Sequence, residues 1–256
     1  MKFIDWFAGI GGFRRGMEMA GHECVGFCEF DKFAVASYTS MHLITEEQRA
    51  YLATLDLKQR QKEILKSEYR NGEWYADDIR YVRAEDIPKA ECWCFGFPCQ
   101  DISIAGQQRG FEGNRSSLFF RVMELIGQLS ERDRPNYLFI ENVKNLISIN
   151  EGWDFARLLV ALAEGGYDAE WQILDSQEFG VPQHRERMFI IGCFRGRSGR
   201  EILPLPNNSK QAHGIQRQLV ANTVTTKTQG LTVGIYPDNR GGVLKVNGYH
   251  KLFQGA

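Results

Sequence analysis

The sequence lacks the features that assign a chain to a membrane, to the secretory pathway or to a strongly basic class of nucleic-acid-binding proteins. Its formal net charge is −1, so nucleic-acid binding cannot be argued from overall charge, and any basic surface must be local. No apolar run approaches the roughly 18 residues of a membrane span. The chain begins with Lys2 and Asp5 close to a glycine-rich segment, which is not the pattern of a signal peptide.

The six cysteines also lack a recognisable metal or disulfide pattern. Cys24 and Cys28 have the spacing of half a zinc site, but no second Cys or His pair follows at metal spacing. Cys92 and Cys94 alternate in an apolar run, as residues on one face of a strand do. Free thiols without a secretion signal indicate a reducing compartment. We therefore expect a cytoplasmic protein without a bound metal.

Short apolar runs alternate with amphipathic stretches through most of the chain. This alternation predicts an α/β fold, with a mainly parallel, Rossmann-like sheet and helices on both faces. The predicted strands are 3–7, 25–28, 92–97 and 137–140, followed by 169–174 and 188–193, which we expect to form an antiparallel pair at one edge. The predicted helices are 13–20, 32–41, 117–130 and 155–164. Residues 45–74 are charged and interrupt the pattern, so we expect a mostly helical, solvated surface excursion there.

Composition changes after Gly199, where Asn, Thr, Gly, Val and Gln dominate. Three prolines also fall in this part, at Pro204, Pro206 and Pro237. Such a composition favours short strands and turns over helices. We therefore predict a main domain over residues 1–198 and a small β-rich region over residues 199–256.

The first predicted strand ends in Asp5-Trp6-Phe7-Ala8-Gly9-Ile10-Gly11-Gly12. A glycine turn between a first strand and a first helix lets the backbone approach a ligand closely, although a tight structural turn has the same composition. Arg14 stands where a dinucleotide-binding fingerprint requires its third glycine. A dinucleotide is therefore a poor candidate ligand, whereas a cofactor without a pyrophosphate remains compatible with the loop.

Acidic and apolar residues follow the next two strands at positions that suit a nucleoside. Glu29 lies twenty residues after Gly9, at the end of the second strand, where an acid can bind both ribose hydroxyls. Phe30 can lie against the adenine. Asp78 and Ile79, further along the chain, would close the adenine edge, with Asp78 accepting from the exocyclic amine. Together with the glycine loop, these residues predict a nucleoside-type cofactor.

A free cysteine follows the predicted strand 92–97, in the segment Gly96-Phe97-Pro98-Cys99-Gln100. This position, just past the carboxyl end of a parallel strand, is where such folds bind ligands. By itself Cys99 could equally be an inert buried thiol. A long polar stretch containing glycines follows over residues 101–118, which is typical of a mobile active-site loop.

Five segments, taken in order, resemble the DNA cytosine-5 methyltransferase family over roughly residues 3–194. They are Phe-Ala-Gly-x-Gly-Gly, Gly-Phe-Pro-Cys-Gln, Gly-Phe-x-x-x-Arg, Glu-Asn-Val and Gln-x-Arg-x-Arg. The resemblance implies methyl transfer from S-adenosylmethionine to carbon 5 of a cytosine in double-stranded DNA, with part of the target-recognition region in 199–256. It implies a cofactor site formed by Phe7, Gly9, Gly11, Gly12, Glu29, Phe30, Asp78, Ile79, Pro98 and Leu118. It implies Cys99, Glu141, Arg185 and Arg187 around the target base.

In this family's chemistry a cysteine thiolate attacks carbon 6 of a flipped-out cytosine, and carbon 5 then becomes nucleophilic. Glu141 would contact N3 and the amino group of the base, and Arg187 would hold O2. A structural ion pair is the alternative role for Glu141 and Arg187. Phosphate contacts and a solvated surface are equally compatible with the remaining arginines of interest: Arg109, Arg115, Arg195, Arg197 and Arg200.

The resemblance stops before the family's pattern is complete. We find neither the Arg-rich segment nor the Asn-containing glycine segment that follow the recognition region in this family, so we expect a C-terminally incomplete member. A complementing C-terminal polypeptide is then a candidate partner. Three rival functions stay open at this point: a nicotinamide-dependent oxidoreductase, a transfer-RNA cytosine methyltransferase, and a base-flipping module without turnover. The target sequence, and a role in restriction-modification, phage biology or regulation, are also open.

Overall fold

A computed structural model describes residues 1–98, 118–197, 231–235 and 241–246 of the chain. Two compact units are present, Met1–Leu138 and Phe139–Ala256. Strands and helices alternate along both units, which confirms the predicted α/β fold. The predicted division between residues 198 and 199 stays a prediction.

The first unit is built on a parallel sheet. Its strands are β1 (Lys2–Trp6), β2 (Glu23–Cys28), β3 (Trp74–Ala76) and β4 (Cys92–Gly96), in the order β3-β2-β1-β4. β1 pairs in parallel with both β2 and β4, and β2 pairs in parallel with β3. After Lys2 every residue of β1 is buried, as expected of a central parallel strand that is covered on both faces. Because the strands are parallel, the loops that follow them leave from one edge of the sheet.

The helices of the first unit begin where the sequence supplies caps. They are α1 (Gly12–Met19), α2 (Lys32–His42), α3 (Glu46–Thr54), α4 (Leu57–Glu63) and α5 (Leu118–Gln128). The Asp31 carboxylate accepts from the amides of Phe33 and Ala34, both at 2.8 Å, and so caps α2. Thr45 and Gln48 form a capping box at the start of α3. Local sequence therefore determines where these helices begin.

The charged segment 45–74 is the helical excursion that the sequence predicts. It holds α3 and α4, and it buries a small cluster of its own made by Leu52, Ile64 and Tyr69. Asn71 closes the excursion by donating from its side-chain amide to the carbonyl of Leu43 at 2.6 Å. The segment therefore packs on itself and returns the chain to the sheet at β3.

The second unit contains most of β5 (Tyr137–Val143), whose first two residues belong to the first unit. It also contains α6 (Trp153–Glu164), β6 (Tyr167–Asp175), β7 (Glu186–Phe194), β8 (Leu231–Ile235) and β9 (Gly241–Val246). The predicted antiparallel pair is confirmed, since β6 and β7 pair from Tyr167↔Phe194 to Asp175↔Glu186. Its predicted place at a sheet edge is wrong, because β9 pairs antiparallel with the other side of β6. Nothing local in the sequence signals this long-range pairing. None of the helices in the described ranges is long and apolar enough to cross a membrane.

Gly26 lies where two strands of the first sheet leave no room for a side chain. It lies opposite Trp74 in the β2–β3 ladder. A Cβ atom at position 26 would lie 2.7 Å from a ring carbon and 2.9 Å from the backbone oxygen of Trp74. The Trp74 ring in turn packs edge-on against Trp6 of β1, with 5.7 Å between ring centroids. The absence of a side chain at Gly26 therefore lets the edge strand β3 join the sheet.

We predict that Gly26→Ala lowers the free energy of unfolding by about 1–3 kcal/mol, the usual cost of forcing extra atoms into a packed region. Urea denaturation followed by tryptophan fluorescence would measure the change. Gly127→Ala is the matched control, because a Cβ there meets nothing within 4 Å. Since Gly127 lies inside α5, its replacement should be neutral or stabilise by up to about 1 kcal/mol. Equal midpoints for the two variants would contradict this account of Gly26.

Candidate functional site

The backbone after β1 turns sharply through left-handed conformations. Phe7, Gly9 and Gly11 have φ angles of 54°, 55° and 88°. This region is ordinary for glycine but rare for an aromatic residue, and such backbone strain concentrates at ligand sites. A Cβ atom at Gly9 or Gly12 would meet nothing within 4 Å. The outer side of the loop is therefore open to a ligand.

The inner side of the same loop is packed against α2. His42 lies with its Nε2 atom 3.0 Å from the carbonyl oxygen of Ile10. The rings of His42 and Tyr38 fill the space that a side chain at Gly11 would occupy. Glycine at this position is thus required both by its φ angle and by the neighbouring rings.

A buried ionic network lies beneath the loop. Arg14 of α1 donates to Glu73 at 2.6 Å and to the Tyr38 hydroxyl at 3.2 Å, and its amide donates to Asp5 at 3.3 Å. Burial raises the pKa of Asp5 well above its usual range. Burial also raises the pKa of the neighbouring Cys24 thiol to about 12. The residue that replaces the third glycine of a dinucleotide fingerprint therefore anchors α1 to the sheet, which the motif alone does not reveal.

Glu29 joins the loop after β1 to the start of α2. Its Oε2 atom accepts from the amide of Gly9, and its Oε1 atom accepts from the amide of Asp31, both at 2.7 Å. Its own amide donates to Ala76 at the end of β3 at 3.1 Å. The half-buried carboxylate thus lies at the carboxyl edge of the sheet, beside the open side of the glycine loop.

Asp78 is buried, and its carboxylate is engaged by Arg80. The Nε atom of Arg80 lies 2.9 Å from both carboxylate oxygens, and the Arg80 amide donates to Oδ1 at 3.0 Å. These hydrogen bonds hold the pKa of Asp78 below its usual range. The sequence predicted an acceptor for an exocyclic amine here and missed Arg80, because the contact depends on the short 3₁₀ turn Ile79–Tyr81.

The remaining predicted cofactor residues lie around the same edge. Phe30 is 73% exposed, and its ring centroid lies 6.0 Å from the guanidinium carbon of Arg80. Ile79 is buried, and its carbonyl accepts from Arg121 of α5 at 3.3 Å. Pro98 is exposed just past β4, and Leu118 is the first residue of α5. Cys99 lies outside the described residues.

The predicted base-binding residues of the second unit include a direct ion pair. Glu141 lies in β5, and its Oε1 atom is 3.0 Å from the Nε atom of Arg187 in β7. Arg187 also donates from Nη1 to the carbonyl of Glu186 at 2.8 Å. Asn142 is buried, and its side-chain oxygen accepts from the amide of Val143 at 2.9 Å. The structure therefore brings Glu141 and Arg187 together as an ion pair, and their role around a target base stays a prediction.

Arg185 lies in the loop before β7 and is exposed. It helps line an open cleft of about 380 Å³, together with Arg187 and Lys144. A larger groove of about 550 Å³ lies in the first unit, and Trp93 and Arg121 line it. That groove contains none of the predicted site residues. Cavity size therefore does not single out the predicted site residues.

Comparison with known proteins finds a matching family model and curated relatives. A family model described as C-5 cytosine-specific DNA methylase matches residues 1–65 and 45–240. The type II methyltransferase M.HhaI of Haemophilus parahaemolyticus is 34% identical over 195 residues, covering 76% of this chain and 49% of that protein. The type II methyltransferase M.Bsp6I of Bacillus sp. (strain RFL6) is 34% identical over 195 residues, covering 75% and 52%. The chain spans about half the length of the curated relatives it matches.

Solved structures of low sequence identity share the fold. The S. pombe Dnmt2 methyltransferase gives a TM-score of 0.55 at 17% identity, covering 79% of this chain and 53% of that one. A Spodoptera frugiperda DNMT2 mutant gives 0.54 at 16% identity, covering 86% and 62%. The family model and the relatives above 30% identity each cover well over half of this sequence. The chain therefore belongs to the C-5 cytosine-specific DNA methylase family.

Proposed function

We propose that this protein transfers a methyl group from S-adenosylmethionine to carbon 5 of a flipped-out cytosine in double-stranded DNA. The observation that carries the proposal is the Glu29 carboxylate, hydrogen-bonded to Gly9 beside the open side of a strained glycine loop. Membership of the DNA methylase family supports DNA over transfer RNA as the substrate. A restriction-modification role and a target-recognition role for residues 199–256 belong to the same proposal. The cytoplasmic location stays a prediction.

The residues at the carboxyl edge of the first sheet fit S-adenosylmethionine. The Glu29 carboxylate lies where it can accept from ribose hydroxyls, and the exposed Phe30 ring offers an apolar face for an adenine. Gly9 and Gly12 leave space for a ligand against the loop backbone. When bound, S-adenosylmethionine supplies the electrophilic methyl group. In this proposal Phe7, Gly11, Asp78, Ile79, Pro98 and Leu118 complete the site.

Cys99 is the proposed nucleophile. Its thiolate forms a bond to carbon 6 of cytosine, which places an electron pair on carbon 5. Carbon 5 then takes the methyl group as the sulfonium S–CH3 bond breaks, which would release S-adenosylhomocysteine. Loss of the carbon-5 proton to a base and elimination of the Cys99 thiolate restore the aromatic ring. Covalent catalysis of this kind replaces one inaccessible step by several easier ones. Arg185 and Arg187 are the proposed source of positive charge for the thiolate.

Three of the other cysteines in the described part of the chain are poor nucleophiles. Burial raises the pKa of the Cys24 thiol to about 12 and raises the pKa values of Cys28 and Cys94 as well. Thiols that stay protonated at neutral pH cannot attack a base. Cys99 is therefore a better candidate for the reactive thiol than these three.

Glu141 and Arg187 are proposed to hold the cytosine ring. A protonated Glu141 would donate to N3 and accept from the amino group, while Arg187 would donate to O2. Their ion pair fixes the two side chains relative to each other before the base arrives. Such preorganisation favours the charge that develops on the ring during attack.

We predict that Cys99→Ser abolishes methyl transfer, because a serine hydroxyl is scarcely ionised at neutral pH. Given a complete enzyme and S-adenosylmethionine, the unmodified protein should form a stable adduct with DNA that carries 5-fluorocytosine, because fluorine cannot leave as the proton does. Peptide mass spectrometry should place that adduct at Cys99. Cys193→Ser, which alters a half-buried thiol in β7, is the control and should leave the adduct intact. An adduct on Cys94 or Cys193 would refute the assignment.

We predict that Glu29→Ala weakens S-adenosylmethionine binding by about 1.5–3 kcal/mol, the range for hydrogen bonds to a charged group. Isothermal titration calorimetry without DNA measures this change. Glu23→Ala, at the opposite end of β2, removes an exposed carboxylate that pairs with Lys2 and should leave affinity unchanged. Unchanged affinity in Glu29→Ala would remove Glu29 from the site, and tight NAD binding would refute the cofactor proposal.

We also predict that full turnover requires a further polypeptide segment. Ile10 in the glycine loop and Phe33 in α2 are 57% and 58% exposed. Exposed apolar groups that lie together commonly mark an interface. Phe7 and Phe13, which a terminal segment would also cover, are only half-buried. Tritiated-methyl transfer should be weak for residues 1–256 alone and should rise when a polypeptide carrying the Asn-containing segment is added. Robust turnover by the chain alone would contradict this requirement.

A further inference from the structure

Ten residues, 176–185, connect β6 to β7 and deliver Arg185 and Arg187 to the proposed base site. A connection of this length is free to adopt many conformations unless side chains restrain it. Phe179 and Val181 near its tip are 64% and 46% exposed, so apolar packing does not hold the tip in place. A short 3₁₀ helix, Ser176–Phe179, orders the outgoing arm, and hydrogen bonds at the base of the loop join that arm to the returning one.

One carboxylate joins the two arms of this loop. The Oδ1 atom of Asp175 accepts from the amide of Gln177 on the outgoing arm at 3.1 Å and from the amide of Arg185 on the returning arm at 3.0 Å. Its Oδ2 atom contacts Nδ1 of His184. Asp175 is the last residue of β6, so these contacts fix the point from which the loop leaves the sheet.

Two hydrogen bonds of Ser176, one from its backbone and one from its side chain, also join the two arms of the loop. The Ser176 amide donates to the carbonyl of Arg185 at 3.1 Å, and its hydroxyl donates to the carbonyl of Gln183. Partial burial raises the pKa of Asp175, but the donors from Gln177, Arg185 and His184 outweigh burial and hold the pKa below its usual value. The ionised carboxylate is therefore the preferred form in this arrangement.

We infer that Asp175 is a positioning residue for the base-binding arginines. Its carboxylate holds the Arg185 amide at the end of the loop, one residue before β7 begins. Arg187 lies two residues further along, opposite Leu174 in the ladder. From there Arg187 reaches Glu141. The inference rests on the proposed function in one respect only, namely that the group bound by the arginines is a cytosine.

The test compares Asp175→Ala with Asp175→Asn in the full chain. Alanine removes every acceptor, whereas asparagine keeps a side-chain oxygen for the Gln177 and Arg185 amides. We expect Asp175→Ala to slow covalent capture of 5-fluorocytosine DNA about 10- to 100-fold, the usual result of a small misplacement at a reacting centre. Asp175→Asn should recover most of the rate. Neither variant should change S-adenosylmethionine affinity, because Glu29 and the glycine loop, which carry the proposed cofactor site, lie in the other unit.

Asp168→Ala is the matched control, because Asp168 lies at the opposite end of β6 and pairs with Arg195 at 2.8 Å. It should leave the capture rate unchanged. Hydrogen exchange of the Arg185 amide, measured on the same proteins, should accelerate in Asp175→Ala and remain slow in Asp175→Asn and Asp168→Ala.

The two readouts separate failure of this inference from failure of the proposed function. If the unmodified chain captures no DNA even with the complementing segment present, the proposed function fails, and Arg185 exchange alone decides the role of Asp175. Unchanged exchange in Asp175→Ala would overturn the inference. An equal loss of capture in Asp168→Ala, or a parallel loss of cofactor affinity in Asp175→Ala, would also overturn it, since either would indicate general destabilisation.

Discussion

The parallel pairing of β1 with strands on both sides is the constraint on which the first unit depends. Parallel strands all end at one edge, so the segments after β1, β2, β3 and β4 meet there without any specific attraction between them. That arrangement brings the Glu29 carboxylate to 2.7 Å from the Gly9 amide nitrogen, although the two residues are twenty apart in sequence. After Lys2 every residue of β1 is buried. The Arg14 amide of α1 donates to Asp5 of this strand, and the Arg14 guanidinium pairs with Glu73 just before β3.

Two carboxylates perform similar tasks in the two units. Glu29 joins the glycine loop to the start of α2, and Asp175 joins the two arms of the loop before β7. In each case a carboxylate accepts from two backbone amides that belong to different segments, which makes a flexible connection adopt one conformation. A charged acceptor suits this role, because its hydrogen bonds are stronger than those of a neutral group. Ligand-facing backbone is thus held by side chains rather than by regular secondary structure.

Much of the fold follows from the sequence. The strand over 3–7 and the helix over 32–41 match β1 and α2 to within a residue at each end, because apolar runs and caps such as Asp31 are local signals. The antiparallel pairing of β6 and β7 also follows from two apolar runs at the end of the pattern. By contrast, β9 and β6 are distant in sequence, and their composition does not indicate that they pair or in which register. The expected sheet edge was therefore wrong.

For the proposed site, the sequence by itself determined which residue types are present and in what order: the glycine loop, Glu29, Cys99, and the acid and arginines of the base side. Their spacing along parallel strands was enough to predict a common edge. Only the tertiary structure showed that Arg80 occupies the carboxylate of Asp78, that Arg14 pairs with Glu73, and that Asp175 holds the Arg185 amide. These contacts depend on side-chain directions set by a short 3₁₀ turn, a buried helix face and a ten-residue loop, and no local pattern of residues encodes such directions.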